Sequence, residues 1–192
     1  MQTNSKYFGV FGTLPKRHGK PTAIVIHHTC TRSPEKTRSA LLHKKCSTHF
    51  EVDVDGTVYR YADEKLVASH CGSANIHTIG IDVTHMENAP FPQVQVDAVK
   101  ELVTELCIKW NIPQIVHLKL EGIYPHCAVG NTDCPNGFPM EQLGELIATE
   151  RDEVSLALEM IDIAVENDRT SALVEGMMER GKLVEEINRW KH

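Results

Sequence analysis

Aromatic residues are scarce in this chain, at 6% of 192 positions. No apolar run approaches the ~20 residues that a membrane-spanning helix needs, so a helical membrane protein is excluded. Charge of one sign is not concentrated either: 20 Lys+Arg stand against 26 Asp+Glu, a formal net charge of -6. The positive face that a phosphate backbone demands is missing, and nucleic acid is not an expected partner. There is no internal repeat and no low-complexity tract. The cysteines Cys30, Cys46, Cys71, Cys107, Cys127 and Cys134 include no CxxC pair. They are read as reduced thiols, mostly small apolar packers. Met1 to Pro21 scatters Lys6, Lys16, Arg17 and Lys20 through polar sequence without an apolar signal-peptide core. The expectation is therefore a chain without a secretory signal, cytoplasmic on synthesis. Against these absences stands an excess of histidine, 11 residues in a chain that is 41% hydrophobic. That content supports one full core with at most a small appendage, and it makes metal chemistry the first function to test.

The periodicity changes type along the chain, which points to an α/β construction. Ala23-Ile24-Val25-Ile26 reads as a buried strand that ends in His27-His28-Thr29, and β-branched residues favour that assignment. Pro34 to Lys45 reads as a helix with Ser33 as N-cap and Leu41 and Leu42 on one face. Thr48 to Val54 and Thr57 to Tyr61 alternate around Asp55-Gly56, the signature of a hairpin with a two-residue turn. Thr78 to Val83 is a further strand, apolar except for one acid. Gln95 to Trp110 sets Val96, Val99, Leu102, Val103, Leu106 and Trp110 at helical spacing. Gln114 to Leu118 is expected to be a strand that feeds a loop from Gly122 to Pro139. Two helices are expected after Pro139, from Met140 to about Val165 and from Ser171 to Trp190. The predicted organisation is an N-terminal segment at 1–20, a domain at 21–147 and a helical extension at 148–192.

The chemistry-bearing stretch is Pro125-His126-Cys127-Ala128-Val129-Gly130-Asn131-Thr132-Asp133-Cys134-Pro135. A loop that folds back can bring its His and its Cys to one ion. His27, at the end of the first buried strand, would complete two imidazoles and a thiolate, a set that suits Zn²⁺. Spacing alone does not decide this, because a histidine at a strand end is more often a packed or surface residue.

Five stretches fall in order: Ile24 to Thr29, Ser47 to Tyr59, Ser69-His70-Cys71-Gly72, Ser73 to Asp82, and His126 to Pro135. Together they closely resemble the zinc-dependent N-acetylmuramoyl-L-alanine amidases of the type 2 amidase family, which share a fold with animal peptidoglycan recognition proteins. The likeness spans roughly residues 20 to 147, and an ordered series is far more specific than any single motif. The resemblance implies a central mixed sheet flanked by helices, one Zn²⁺ per chain, and a surface groove for a peptidoglycan stem peptide. The implied reaction is hydrolysis of the amide between N-acetylmuramic acid and L-alanine by a zinc-activated water. Carried over by position, the ligands are His27, His126 and Cys134; Asp133 is the alternative third ligand. Alternation turns His28 away from His27, where it lines the groove or supports the sheet.

The resemblance also marks departures. Phage-type members carry a Tyr where this chain has Thr48 and a Lys where it has Thr132. A threonine is no general base at neutral pH, so Thr48 and Thr132 are limited to positioning water or donating a hydrogen bond. The base is expected to be Asp82, at the position where recycling-type amidases place a catalytic Glu. Its reading as an orienting partner of a ligand His is the alternative. His28, Thr48 and His70 are expected at the substrate, while His49 is expected to be structural or to line the groove wall. Three roles remain open: a phage or prophage endolysin, a cytosolic muropeptide-recycling enzyme, and a peptidoglycan-binding protein without catalysis.

Overall fold

The strands form where β-branched residues cluster, and they join in one sheet. The computed structural model describes residues 5–7, 14–86, 89–116 and 121–144, with side chains from residue 14 onward. The strands are β1 (Ser5–Tyr7), β2 (Ala23–His28), β3 (Phe50–Val52), β4 (Val58–Arg60), β5 (Thr78–Val83) and β6 (Gly122–Pro125). They lie in the order β1-β4-β3-β5-β2-β6. Only β3 and β4 are antiparallel; β1–β4, β3–β5, β5–β2 and β2–β6 are parallel. The neighbouring interior strands β5 and β2 read as near-continuous apolar runs because both faces of a parallel sheet are covered. Ser5–Tyr7, within the segment expected to precede the domain, is an edge strand of this same sheet.

Helix α1 (Pro34–Lys44) begins as its sequence dictates, with the Ser33 Oγ accepting from Lys36 N and proline in the first turn. Its expected apolar face is only partly covered: Pro34 and Thr37 are buried, Leu41 is half-buried and Leu42 is exposed. Helix α2 (Gln93–Trp110) matches its pattern and buries Val96, Val99, Leu102, Val103 and Leu106. These side chains meet Ile24, Ile26, Ile79, Ile81, Phe50, Val52 and Ile123 to form the main core on one face of the sheet. Gln95, also buried, donates from Nε2 to the carbonyls of Val52 and Thr84 and so satisfies the ends of β3 and β5. Three residues, Val54 to Gly56, make the hairpin loop rather than two: Asp53 N donates to Thr57 O and Gly56 N to Asp53 O, both at 2.9 Å. Gly56, at φ 82°, occupies the left-handed position that closes such a loop.

The strand expected at Gln114 to Leu118 is corrected. Its described part makes only an isolated bridge, Val116 to Ile123, and the strand beside β2 is Gly122–Pro125, inside the expected loop. Gly122 makes this possible: at φ 79° it passes so close to Ile115 O that a Cβ would lie 2.5 Å away. Met140–Gln142 forms a single 3-10 turn. The remainder of the helices expected at 140–165 and 171–190, and the extension at 148–192, lie outside the described residues.

Candidate metal centre and active site

The other face of the sheet carries polar chemistry. Alternation along β2 puts Ala23, Val25 and His27 on this face, where Ala23 and Val25 pack with Cys71, Ala74 and Tyr124. The loop that follows β6 doubles back on itself. Cys127 N donates to Cys134 O at 2.8 Å, Thr132 N to Gly130 O at 3.0 Å, and Cys134 N to the Thr132 Oγ1 at 3.2 Å. This returns Cys134 to the end of β2, where His28 N donates to its Sγ at 3.2 Å. One donor atom from each of His27, His126 and Cys134 then lies within 4.8 Å of the others. The His27 and His126 rings are 4.4 Å apart at their centroids, and His27 Nδ1 is 4.0 Å from Cys134 Sγ.

Burial sets the protonation of these groups. It depresses His27 to about 3, with further lowering by His126 and His28, and it lowers His126 in the same direction. Both are therefore neutral imidazoles, the form that binds a metal. Burial pushes the Cys134 thiol up to about 12, against the opposing hydrogen bond from His28 N. A cation held there would favour the thiolate form of Cys134. Two neutral imidazoles and one such thiol fit a borderline-soft divalent ion.

Asp82 is in register with His27 on one side and with Glu51 on the other. Burial, then the neighbouring Glu51, raises Asp82 to about 8, while a hydrogen bond with Thr48 opposes the rise. Glu51 is also raised by burial. It accepts from the Thr37 hydroxyl at 2.6 Å, the Thr84 hydroxyl at 2.7 Å and the Tyr61 hydroxyl.

Residues 17–137 match the family model described as N-acetylmuramoyl-L-alanine amidase. The chain belongs to this family. A Rickettsia conorii protein, provisionally named an N-acetylmuramoyl-L-alanine amidase, is 26% identical over 95% of this chain and 72% of its own length. The solved N-acetylmuramoyl-L-alanine amidase LysC of Clostridium intestinale is 28% identical, with a TM-score of 0.60 over 72% of this chain and 94% of that one. Drosophila PGRP-LB, at 18% identity, shares the fold, with a TM-score of 0.56 over 76% of this chain and 96% of that one.

The amidase places its sequence-predicted residues unevenly. His27, His126 and Cys134 come together, and Asp82 lies in the strand beside His27. Thr132 braces Cys134 through its own Oγ1. His28 points away from His27, with its Nε2 2.9 Å from Cys30 Sγ and its ring 6.3 Å from that of His85.

One expectation is corrected. Thr48 is fully buried and donates to Gly80 O at 3.1 Å, so it supports the strand from within and presents nothing to a substrate. His70 lies against Gly80, with Nδ1 3.0 Å from His27 Nε2 and Nε2 3.2 Å from the Thr78 Oγ1. Both its nitrogens have partners inside the protein, and His70 is a direct neighbour of His27. His49 is structural: its Nδ1 accepts from Gly80 N and its Nε2 meets Leu66 O.

Sequence reasoning missed Glu51, a single acid inside an alternating hairpin strand, and Arg17. The Arg17 guanidinium is buried and donates to the carbonyls of Glu64, Asn75, Ile76, Leu66 and Thr78. A lone basic residue in polar sequence gave no signal of that role.

Proposed function

We propose that this amidase is zinc-dependent, that His27, His126 and Cys134 hold the ion, and that it cleaves the amide between N-acetylmuramic acid and L-alanine in peptidoglycan. The observation that carries the reading is the convergence of these three donors from β2 and the loop after β6. A zinc ion there supplies a Lewis acid and lowers the pKa of a water from ~15.7 toward ~7. The chain's own groups do the rest. The loop from His126 to Cys134 and the end of β2 orient the donors, and neutral His27 and His126 offer lone pairs without first losing a proton. Asp82, raised to about 8 beside His27, in its ionised form takes a proton from the attacking water and returns it to the departing amine. His28, at the partly exposed end of β2, borders the substrate. The biological setting we infer is a phage or prophage endolysin acting on the cell wall, supported by the likeness to LysC and to the Ph2119 endolysin of a Thermus scotoductus bacteriophage, the latter a likeness of fold.

The test is metal content and amide hydrolysis on purified sacculi for the wild type and Cys134→Ser. About one zinc per wild-type chain is expected, with both metal and turnover lost in the variant. A wild-type chain that hydrolyses the amide without bound zinc overturns the metal assignment.

A further inference from the structure

We propose that His70 is a positioning residue that holds His27 as the tautomer protonated on Nε2, so that Nδ1 is the nitrogen presented to the metal. The inference rests on the metal site described above, and it adds which atom binds and what selects it.

The direction of each hydrogen bond follows from one fixed end. Ala74 O is a carbonyl and can only accept, and the Thr78 hydroxyl is 2.8 Å from it. The single hydroxyl proton of Thr78 is therefore committed to Ala74, and toward His70 Nε2, at 3.2 Å, the Thr78 Oγ1 can only accept. His70 then carries its proton on Nε2; the other neighbour of that nitrogen, the Cys71 Sγ, is farther off at 3.8 Å and stands 3.3 Å from the Thr78 Oγ1, to which the thiol can donate. A neutral imidazole has one N–H, so His70 Nδ1 is an acceptor. The partner of that acceptor is His27 Nε2, at 3.0 Å, which must donate. His27 Nδ1 is left with a bare lone pair, and it is this nitrogen that faces Cys134 Sγ at 4.0 Å. The proton order is thus set from the turn Gly72–Ile76 through β5 to the end of β2.

The fold reserves space for this arrangement. A Cβ at Gly80 would stand 2.8 Å from both Cγ and Nδ1 of His70, so only glycine on β5 lets the ring lie against the strand. Asn75 holds the approach to that turn, with its Oδ1 accepting from the backbone N–H of His70 at 3.0 Å and of Cys71 at 2.7 Å. Metal-bound histidines depend on the partner of their second nitrogen for tautomer and ring orientation, and loss of such a partner typically weakens metal affinity ~10- to 100-fold.

The experiment uses the full chain, with Thr78→Val and Thr78→Ser beside the wild type. Histidine tautomers are read by ¹⁵N NMR in the metal-free protein at neutral pH, and zinc affinity by competition with a chelator. The wild type should show His27 protonated on Nε2. Thr78→Val keeps the shape but removes the acceptor, so the tautomer should become mixed and zinc affinity should fall ~10- to 100-fold. Thr78→Ser should restore both. A Thr78→Val chain with an unchanged His27 tautomer and wild-type zinc affinity overturns the proposal, as does a wild-type His27 protonated on Nδ1. Should Thr78→Val fail to fold, His70→Gln against His70→Ala decides: Gln retains an acceptor for His27 and should keep zinc affinity that Ala loses, and equal affinities overturn the proposal. A wild type that takes up no zinc sinks the metal reading, while the metal-free tautomer still decides the role of His70.

Discussion

Burial and the neighbouring Glu51 raise Asp82 to about 8, so its protonated and ionised forms are both populated near neutral pH. That is the state a residue needs if it is to shuttle a proton near neutral pH. Asp82→Asn preserves the shape and removes the shuttle, so hydrolysis of sacculi should fall by ~10²- to 10⁴-fold while zinc stays bound. Undiminished turnover in that variant rules Asp82 out as the base. Residue identity was legible here because Asp82 interrupts an otherwise apolar strand. Its protonation was not, because the raised pKa depends on Glu51, which comes from another strand.

At the scale of elements, helix α2 was readable from its period, and its two faces differ sharply in what they tolerate. Leu106 is buried against the sheet whereas Ile108 is 79% exposed. Leu106→Ala should cost about 2–5 kcal/mol of stability by chemical denaturation, and Ile108→Ala should stay within about 0.5 kcal/mol. Equal effects at the two positions contradict the placement of the helix. The loop from His126 to Cys134 was legible as a motif, but its closure was not. Its hydrogen bonds run from Cys127 to Cys134 and from Cys134 to Thr132, within an irregular segment that has no period to read. The strand Gly122–Pro125 was hidden for a related reason: its pairing with β2 is a parallel, long-range contact, and its local sequence of Gly, Tyr and Pro resembles a loop.

For the whole molecule, buried neutral imidazoles make stability depend on pH. His49 has a folded value of about 4 against 6.5 when exposed, so the unfolded chain takes up the proton first as pH falls. The stability this group contributes is present above 6.5 and is lost between about 6.5 and 4, at up to ~1.4 kcal/mol per pH unit. His27 and His70, also depressed by burial, add to that loss in the metal-free protein. Asp82 acts in the opposite sense: raised from 3.8 to about 8, it favours the folded state at low pH and withdraws that support as pH rises toward 8. The denaturation midpoint of metal-free protein should therefore peak near pH 6.5; a midpoint flat from 7 down to 4 refutes these burials. By itself the sequence determined the strands β2 and β5, the helix α2, the family and the three metal-site candidates, because local period and ordered motifs are carried by neighbouring residues. Only the tertiary structure decided that Arg17 belongs inside the domain, that Thr48 is buried, and that His70 turns to His27. Those outcomes rest on hydrogen-bond acceptors and excluded volume contributed by segments distant in the chain.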